Sequence, residues 1–134
     1  MDMEQLFEKA KKAAEASYSP YSHFRVGAAL LCEDGTIFTG TNVENRSFGL
    51  TICAERSAVV SAVSAGKRRF VALAIATPDS VDPVGPCGAC RQVLSEFMDK
   101  QAPVRCGGSS QKRLDTTMGE LVPFDSLHDL AQKL

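Results

Sequence analysis

Three cysteines constrain the fold of this chain more than any other residues do. Cys87 and Cys90 stand three positions apart in Pro86-Cys87-Gly88-Ala89-Cys90, and Cys53 opens the segment Cys53-Ala54-Glu55-Arg56. Each segment begins a stretch with helical patterning. At a spacing of three, the Cys87 and Cys90 sulfurs lie on one side of a first helical turn and can bind one tetrahedral metal ion. Cys53 supplies a third thiolate if the two helix N-termini meet, so the rest of the chain must bring two helix starts together. Three protein ligands leave the fourth position open to water. Zinc is the natural occupant of so sulfur-rich a site, although spacing alone leaves iron open. Three thiolates around a divalent cation leave one net negative charge, which helix dipoles and unpaired backbone N–H groups stabilise. Arg56 and Arg91, directly after the ligand segments, are placed to donate to the sulfurs and so make the metal a better Lewis acid.

Glu55 lies two residues beyond Cys53, close enough to address water at the open coordination position without ligating the metal. In dry surroundings its carboxylate can take a proton from that water and return it to a substrate. Taken singly these signals are bland: a lone Cys-x-x-Cys also suits a redox pair or half of a structural zinc knuckle, and a lone glutamate suits a solvated helix. Together, Cys-x-Glu followed by Pro-Cys-x-x-Cys is the known signature of zinc deaminases. A closed four-cysteine site would need another thiolate, but Cys32 and Cys106 sit in apolar, strand-like segments that read as core.

The surrounding pattern supplies one sheet with helices on both faces. Met3 to Ala16 repeats Leu6, Ala10, Ala13 and Ala14 at helical spacing, with Asp2 as its cap. Val26 to Cys32 and Thr36 to Thr41 flank Asp34-Gly35, a hairpin signal. Asn42 to Thr51 is a loop. A helix runs from Cys53 to Ala65 and stops at Gly66. Phe70 to Thr77 reads as a strand covered on both faces, and Pro78 to Pro86 as a loop. A third helix spans Gly88 to about Asp99 and buries Val93, Leu94 and Phe97. Short strands near Val104 and from Leu114 to Thr117 form a second hairpin, and Ser126 to Lys133 is weakly helical. The order α-β-β-α-β-α-β-β-α argues for an α/β domain spanning residues 1–134.

Composition excludes several function classes. The 15 basic and 16 acidic residues give a net charge of -1, so no overall positive field favours a nucleic-acid backbone. The N-terminus lacks a secretory pattern and no apolar run is long enough to span a membrane, which points to a cytoplasmic protein with reduced thiols.

Four blocks in order, YSPYSHFRVGAAL, GTNVENRSFG, TICAERSAV and PCGACRQVLSEF, resemble the short, homotetrameric class of zinc-dependent cytidine deaminases over nearly the whole chain. The resemblance implies a three-layer α-β-α fold with a mixed five-stranded sheet, and one Zn2+ per subunit on Cys53, Cys87 and Cys90. It implies hydrolytic deamination of cytidine and deoxycytidine to uridine and deoxyuridine in pyrimidine salvage: Glu55 shuttles protons, water attacks C4 of the base, and ammonia leaves. Asn42 and Glu44 correspond to the pair that holds the ribose 3′-hydroxyl. Phe24 corresponds to the aromatic lying against the pyrimidine, and the backbone near Ala54 to the group meeting the base edge. Alone, Asn42 would read as a turn former and Phe24 as core. Phe124 corresponds to an aromatic that in relatives crosses a subunit boundary to cover a neighbour's bound base. Two departures stand out: Phe48 replaces a common tyrosine, and ELVPFDSL is shorter than the usual C-terminal pattern.

Three other readings share parts of the pattern. A blasticidin S deaminase has the same metal motif, but the NVEN block and AERSA continuation favour a ribonucleoside. A polynucleotide-editing deaminase needs a basic groove or stacking platform, which the near-neutral charge and absence of tryptophan weigh against. A zinc-stabilised module that binds nucleosides without turning them over has no use for Glu55.

Overall fold

The computed structural model describes residues 1–127 and 130. Helix α1, Met3–Ala13, starts where the sequence places it: Asp2 accepts from the Gln5 N–H at 2.8 Å, and Gln5 returns a bond to the Asp2 N–H. It buries Leu6, Phe7 and Ala10. The helix stops three residues early, because Ala14–Ala16 tighten into a 3-10 turn.

Strands β1, Gly27–Cys32, and β2, Ile37–Thr41, form the expected antiparallel hairpin, with Gly35 at φ +90 in its turn. After helix α2, Ala54–Ser64, strand β3, Phe70–Ala76, pairs antiparallel with β1. Helix α3, Gly88–Ser95, then carries the chain to β4, Pro103–Gly107, which lies parallel to β3. Strand β5, Arg113–Thr117, turns back against β4, so the sheet order is β2-β1-β3-β4-β5.

The alternation of side chains divides the core into two layers. Ala29, Ala72, Ala74 and Ala76 pack with Leu6, Phe7 and Ala10 of α1 on one face. Leu30, Leu73, Ile75 and Val104 face the other way, against Ala58 and Val59 of α2 and Leu94 of α3. The result is the mixed five-stranded sheet with helices on both faces.

Two expectations change. Helix α3 ends before Asp99 because the Phe97 carbonyl accepts from the Phe70 N–H and Phe70 bridges Met98, so the chain has joined the start of β3. Leu94, Ser95 and Met98 are consequently buried, while Val93 and Phe97 are only half-buried. The last helix also differs. A short α4, Met118–Leu121, follows β5 directly, with the Thr117 hydroxyl accepting from the Glu120 N–H at 3.2 Å. Most of the helix expected over Ser126 to Lys133 lies outside the described residues.

Candidate metal centre and adjoining cavity

Cys53 and Cys87 occupy the same place in two different helices. Each is the N-cap residue, with ψ 155 and 165 respectively, and neither sulfur caps its own helix. Their side chains are therefore free to point at a third party, while Cys90 comes round on the first turn of α3.

Glycine 40 sets how closely α2 approaches the sheet. A Cβ there would lie 2.4 Å from the Ala58 nitrogen and 2.6 Å from the Ala54 oxygen, which is backbone that cannot step aside. The bare backbone of β2 thus lets the N-terminus of α2 settle against the sheet beside α3.

The sulfurs of Cys53, Cys87 and Cys90 all lie within 4.8 Å of one another, in the one cluster of at least three potential metal ligands among the described residues. With Zn–S bonds of roughly 2.3 Å, two sulfurs at corners of a tetrahedron lie roughly 3.8 Å apart. Cys53 Sγ and Cys87 Sγ are separated by 3.8 Å. The donor set fits zinc in chemistry as well as spacing.

Electrostatics around the sulfurs tell the same story. Burial, followed by the nearby Glu55 charge, pushes the Cys90 thiol far up. Burial also opposes ionisation of Cys87, but hydrogen bonds from Cys90 and Cys53 outweigh it and hold that thiol below its ordinary range. Several thiolates and a carboxylate gathered in a half-buried space are costly without a compensating cation. Arg56 supplies part of that charge: its Nη2 donates to Cys53 Sγ at 3.3 Å, and this bond raises the guanidinium pKa.

Arg91 does something other than donate to sulfur. Its Nε donates to the Pro86 carbonyl at 2.8 Å and its Nη1 to the Leu121 carbonyl at 3.4 Å. It ties the ligand loop to α4, the short helix that the sequence reading missed. Cys32 and Cys106 are buried in the core, where burial pushes the Cys106 thiol up to about 12.

Beside the sulfurs is a cavity of about 200 Å³, lined by Phe24, Asn42, Cys53, Ala54, Glu55 and Cys87, with Val26, Thr51, Ile75, Thr77, Val84 and Gly85 completing its walls. Glu55 is 4% exposed, and burial raises its pKa against smaller lowering contributions from backbone, Cys90 and Arg56. A second hollow of about 270 Å³ shares Thr51 with the first and is lined by Tyr21, Ser22, Glu44 and Phe48. Phe48 is exposed and meets the Tyr21 ring edge-on, with centroids 5.7 Å apart.

Asn42 and Glu44 already hold local structure. The Asn42 Oδ1 accepts from the Val26 N–H at 3.0 Å and from the Ser17 hydroxyl, while its Nδ2 donates to the Phe24 carbonyl at 2.8 Å. Glu44 accepts from the Tyr21 and Ser22 N–H groups and the Ser22 hydroxyl, and the hydroxyl bond leads in keeping its carboxyl pKa below the ordinary range. Phe124, in contrast, is 94% exposed and touches neither hollow. The walls contributed by Thr77, Val84 and Gly85 escaped the sequence reading; their proximity to Cys87 along the chain was the available signal for the last two.

Comparisons with known proteins agree with this geometry. The model of the cytidine and deoxycytidylate deaminase zinc-binding region matches residues 1–106. The chain is 50% identical over 123 residues to the cytidine deaminase of Sporosarcina psychrophila, covering 92% of this chain and 90% of that protein. It is 46% identical over 123 residues to the cytidine deaminase of Halalkalibacterium halodurans, with 92% of each covered. The crystal structure of cytidine deaminase from Burkholderia pseudomallei superposes with a TM-score of 0.88 at 44% identity, over 92% of this chain and 98% of that one.

Proposed function

The chain belongs to the cytidine and deoxycytidylate deaminase zinc-binding family, and from that premise we propose that it hydrolyses cytidine and deoxycytidine to uridine and deoxyuridine, releasing ammonia. The observation that carries this reading is the placement of a buried Glu55 in one cavity with the sulfur cluster. Bound by Cys53, Cys87 and Cys90, zinc supplies a Lewis acid that brings the ionisation of water towards neutral pH.

Glu55 then has two tasks. It takes one proton from the water that attacks C4 of the base and delivers it to N3, then takes the second proton from the new C4 hydroxyl and delivers it to the amino group, so that the C4–N bond breaks, ammonia leaves and a carbonyl remains. Its burial favours both, because a carboxyl with a raised pKa holds a proton more readily than an exposed one. Arg56 offsets thiolate charge from its bond to Cys53.

Phe24 offers a flat apolar wall for the pyrimidine, and Ala54, at the start of α2, offers backbone to the base edge. After its local bonds Asn42 retains one N–H, while the charged Glu44 carboxylate retains accepting capacity. A sugar hydroxyl that accepts from Asn42 and donates to Glu44 satisfies both. The exposure of Phe124 supports its use by a neighbouring subunit in a homotetramer. Among the described residues no helix is long and apolar enough to cross a membrane; a single domain acting in cytoplasmic pyrimidine salvage completes the proposal.

The test is uridine formation from cytidine by zinc-replete protein, with Glu55→Ala alongside. Turnover should fall by about 10²–10⁴-fold in the variant while zinc is retained. Near-normal turnover by Glu55→Ala would remove the proton-shuttle assignment.

A further inference from the structure

Phe24 stands in a segment that no strand holds, since residues 21–25 lie outside the sheet. The Ser19 carbonyl accepts from the His23 N–H at 2.9 Å, and side chains fasten the rest. Glu44 and Asn42, which follow β2, bind the backbone at Tyr21, Ser22, Phe24 and Val26. The remaining anchor comes from another part of the chain. Asp79, on the segment after β3, accepts from the Arg25 backbone N–H at 2.8 Å, from Arg25 Nε at 3.0 Å and from Nη2 at 2.7 Å. Two residues before Asp79 is Thr77, and beyond it are Val84 and Gly85, all lining the cavity that Phe24 also lines.

The backbone records how tightly this segment is held. His23, next to Phe24, has φ 57, the one positive value at a non-glycine residue among the described residues. Such a conformation persists where its surroundings over-determine it. Arg25 and Asp79 are themselves 46% and 27% exposed in their side chains, so their ion pair contributes little to global stability. Its effect is local.

We propose that Asp79 is a positioning residue for the reaction: by gripping the Arg25 backbone and guanidinium at once, it fixes the Phe24 ring as a wall of the substrate cavity. This rests on the reading of that cavity as the nucleoside site. Asp79 touches no reacting atom and acts through Phe24. Because a wall binds ground state and transition state alike, its loss appears in KM more than in kcat.

The zinc-loaded full chain, Asp79→Ala, Asp79→Asn, Phe24→Ala and the double variant Asp79→Ala/Phe24→Ala provide the test. Asp79→Ala should raise the KM for cytidine about 5–10-fold with kcat changed less than about twofold, and Asp79→Asn, which keeps an acceptor, should fall between it and the parent. In the Phe24→Ala background, Asp79→Ala should have no further effect. Backbone hydrogen exchange over residues 21–26, measured without substrate, should accelerate in Asp79→Ala while the melting temperature stays near the parent's.

Unchanged exchange would overturn the clamp whatever the kinetics show. Faster exchange with an unchanged KM, or an equal Asp79 effect with and without Phe24, would overturn its positioning role. A parent that fails to deaminate cytidine would overturn the underlying functional reading, and is seen before any variant is compared.

Discussion

Carboxylates in this molecule owe their behaviour to the groups facing them. Glu55 meets apolar walls and sulfur, whereas Asp79 meets the Arg25 guanidinium and backbone, whose hydrogen bonds bring its pKa down to about 2 from 3.8. Replacing Glu55 by glutamine preserves volume but removes the carboxylate on which the proposed proton transfer depends. Glu55→Gln should therefore lower kcat by about 10²–10⁴-fold with bound zinc at parity, read by steady-state kinetics and metal analysis. For Asp79 the sign is that of a depressed acid: the small stabilisation from its solvent-screened pair with Arg25 is fully present above pH 3.8 and disappears as pH falls through about 2. Carboxyl-carbon NMR should show an Asp79 midpoint near 2. In Arg25→Ala the midpoint should move back towards 3.8; a midpoint that stayed put would show that Arg25 is not its cause.

Among the elements, α2 matters most, because its first turn carries Ala54, Glu55 and Arg56 and its cap carries Cys53. Gly40→Ala forces a methyl into α2 backbone at 2.4 Å. Overpacking of this kind costs about 1–3 kcal/mol, and lifting α2 also moves Cys53 away from Cys87. Thermal unfolding and competition with a zinc chelator should both report a loss. Gly49→Ala, which meets nothing within 4 Å, should change stability by less than about 0.5 kcal/mol. What the sequence revealed of these elements follows from range. The Asp2 cap, Asp34-Gly35 and the Cys87-x-x-Cys90 spacing act within one turn, so they were legible along the chain. The early end of α3 was not, because it depends on Phe70 capturing the Phe97 carbonyl from 27 residues away (97 − 70). Nor was the placement of Arg91, whose Leu121 partner belongs to α4; the Thr117-x-x-Glu120 spacing was a signal for that helix that went unread. The link from Asp79 to Arg25 spans 54 positions and has no local signature at all.

At the scale of the whole molecule, the three clustered sulfurs come from the starts of α2 and α3 on one face of the sheet, so zinc bound there should stabilise the fold as well as serve the site. A ligand present at 100 times its Kd adds about 2.7 kcal/mol; chelation should lower the melting temperature, and restored zinc should return it. Phe124 bears on a larger unit. Phe124 is 94% exposed and lines neither hollow of its own chain; in the proposed assembly it can close a neighbour's. If it does, Phe124→Ala should weaken cytidine binding and raise KM without loss of zinc. The decisive experiment mixes two defective proteins, Phe124→Ala and Glu55→Ala, by reversible dissociation and reassociation. Each alone has no complete site. In a mixed assembly, a subunit that keeps Glu55 can be covered by Phe124 from its Glu55→Ala neighbour, so the mixture should show a lower KM than Phe124→Ala alone, with kcat per intact Glu55 preserved. Were Phe124 to act within its own subunit, exchange would leave KM at the Phe124→Ala value, because every subunit with a working Glu55 would still lack the aromatic ring.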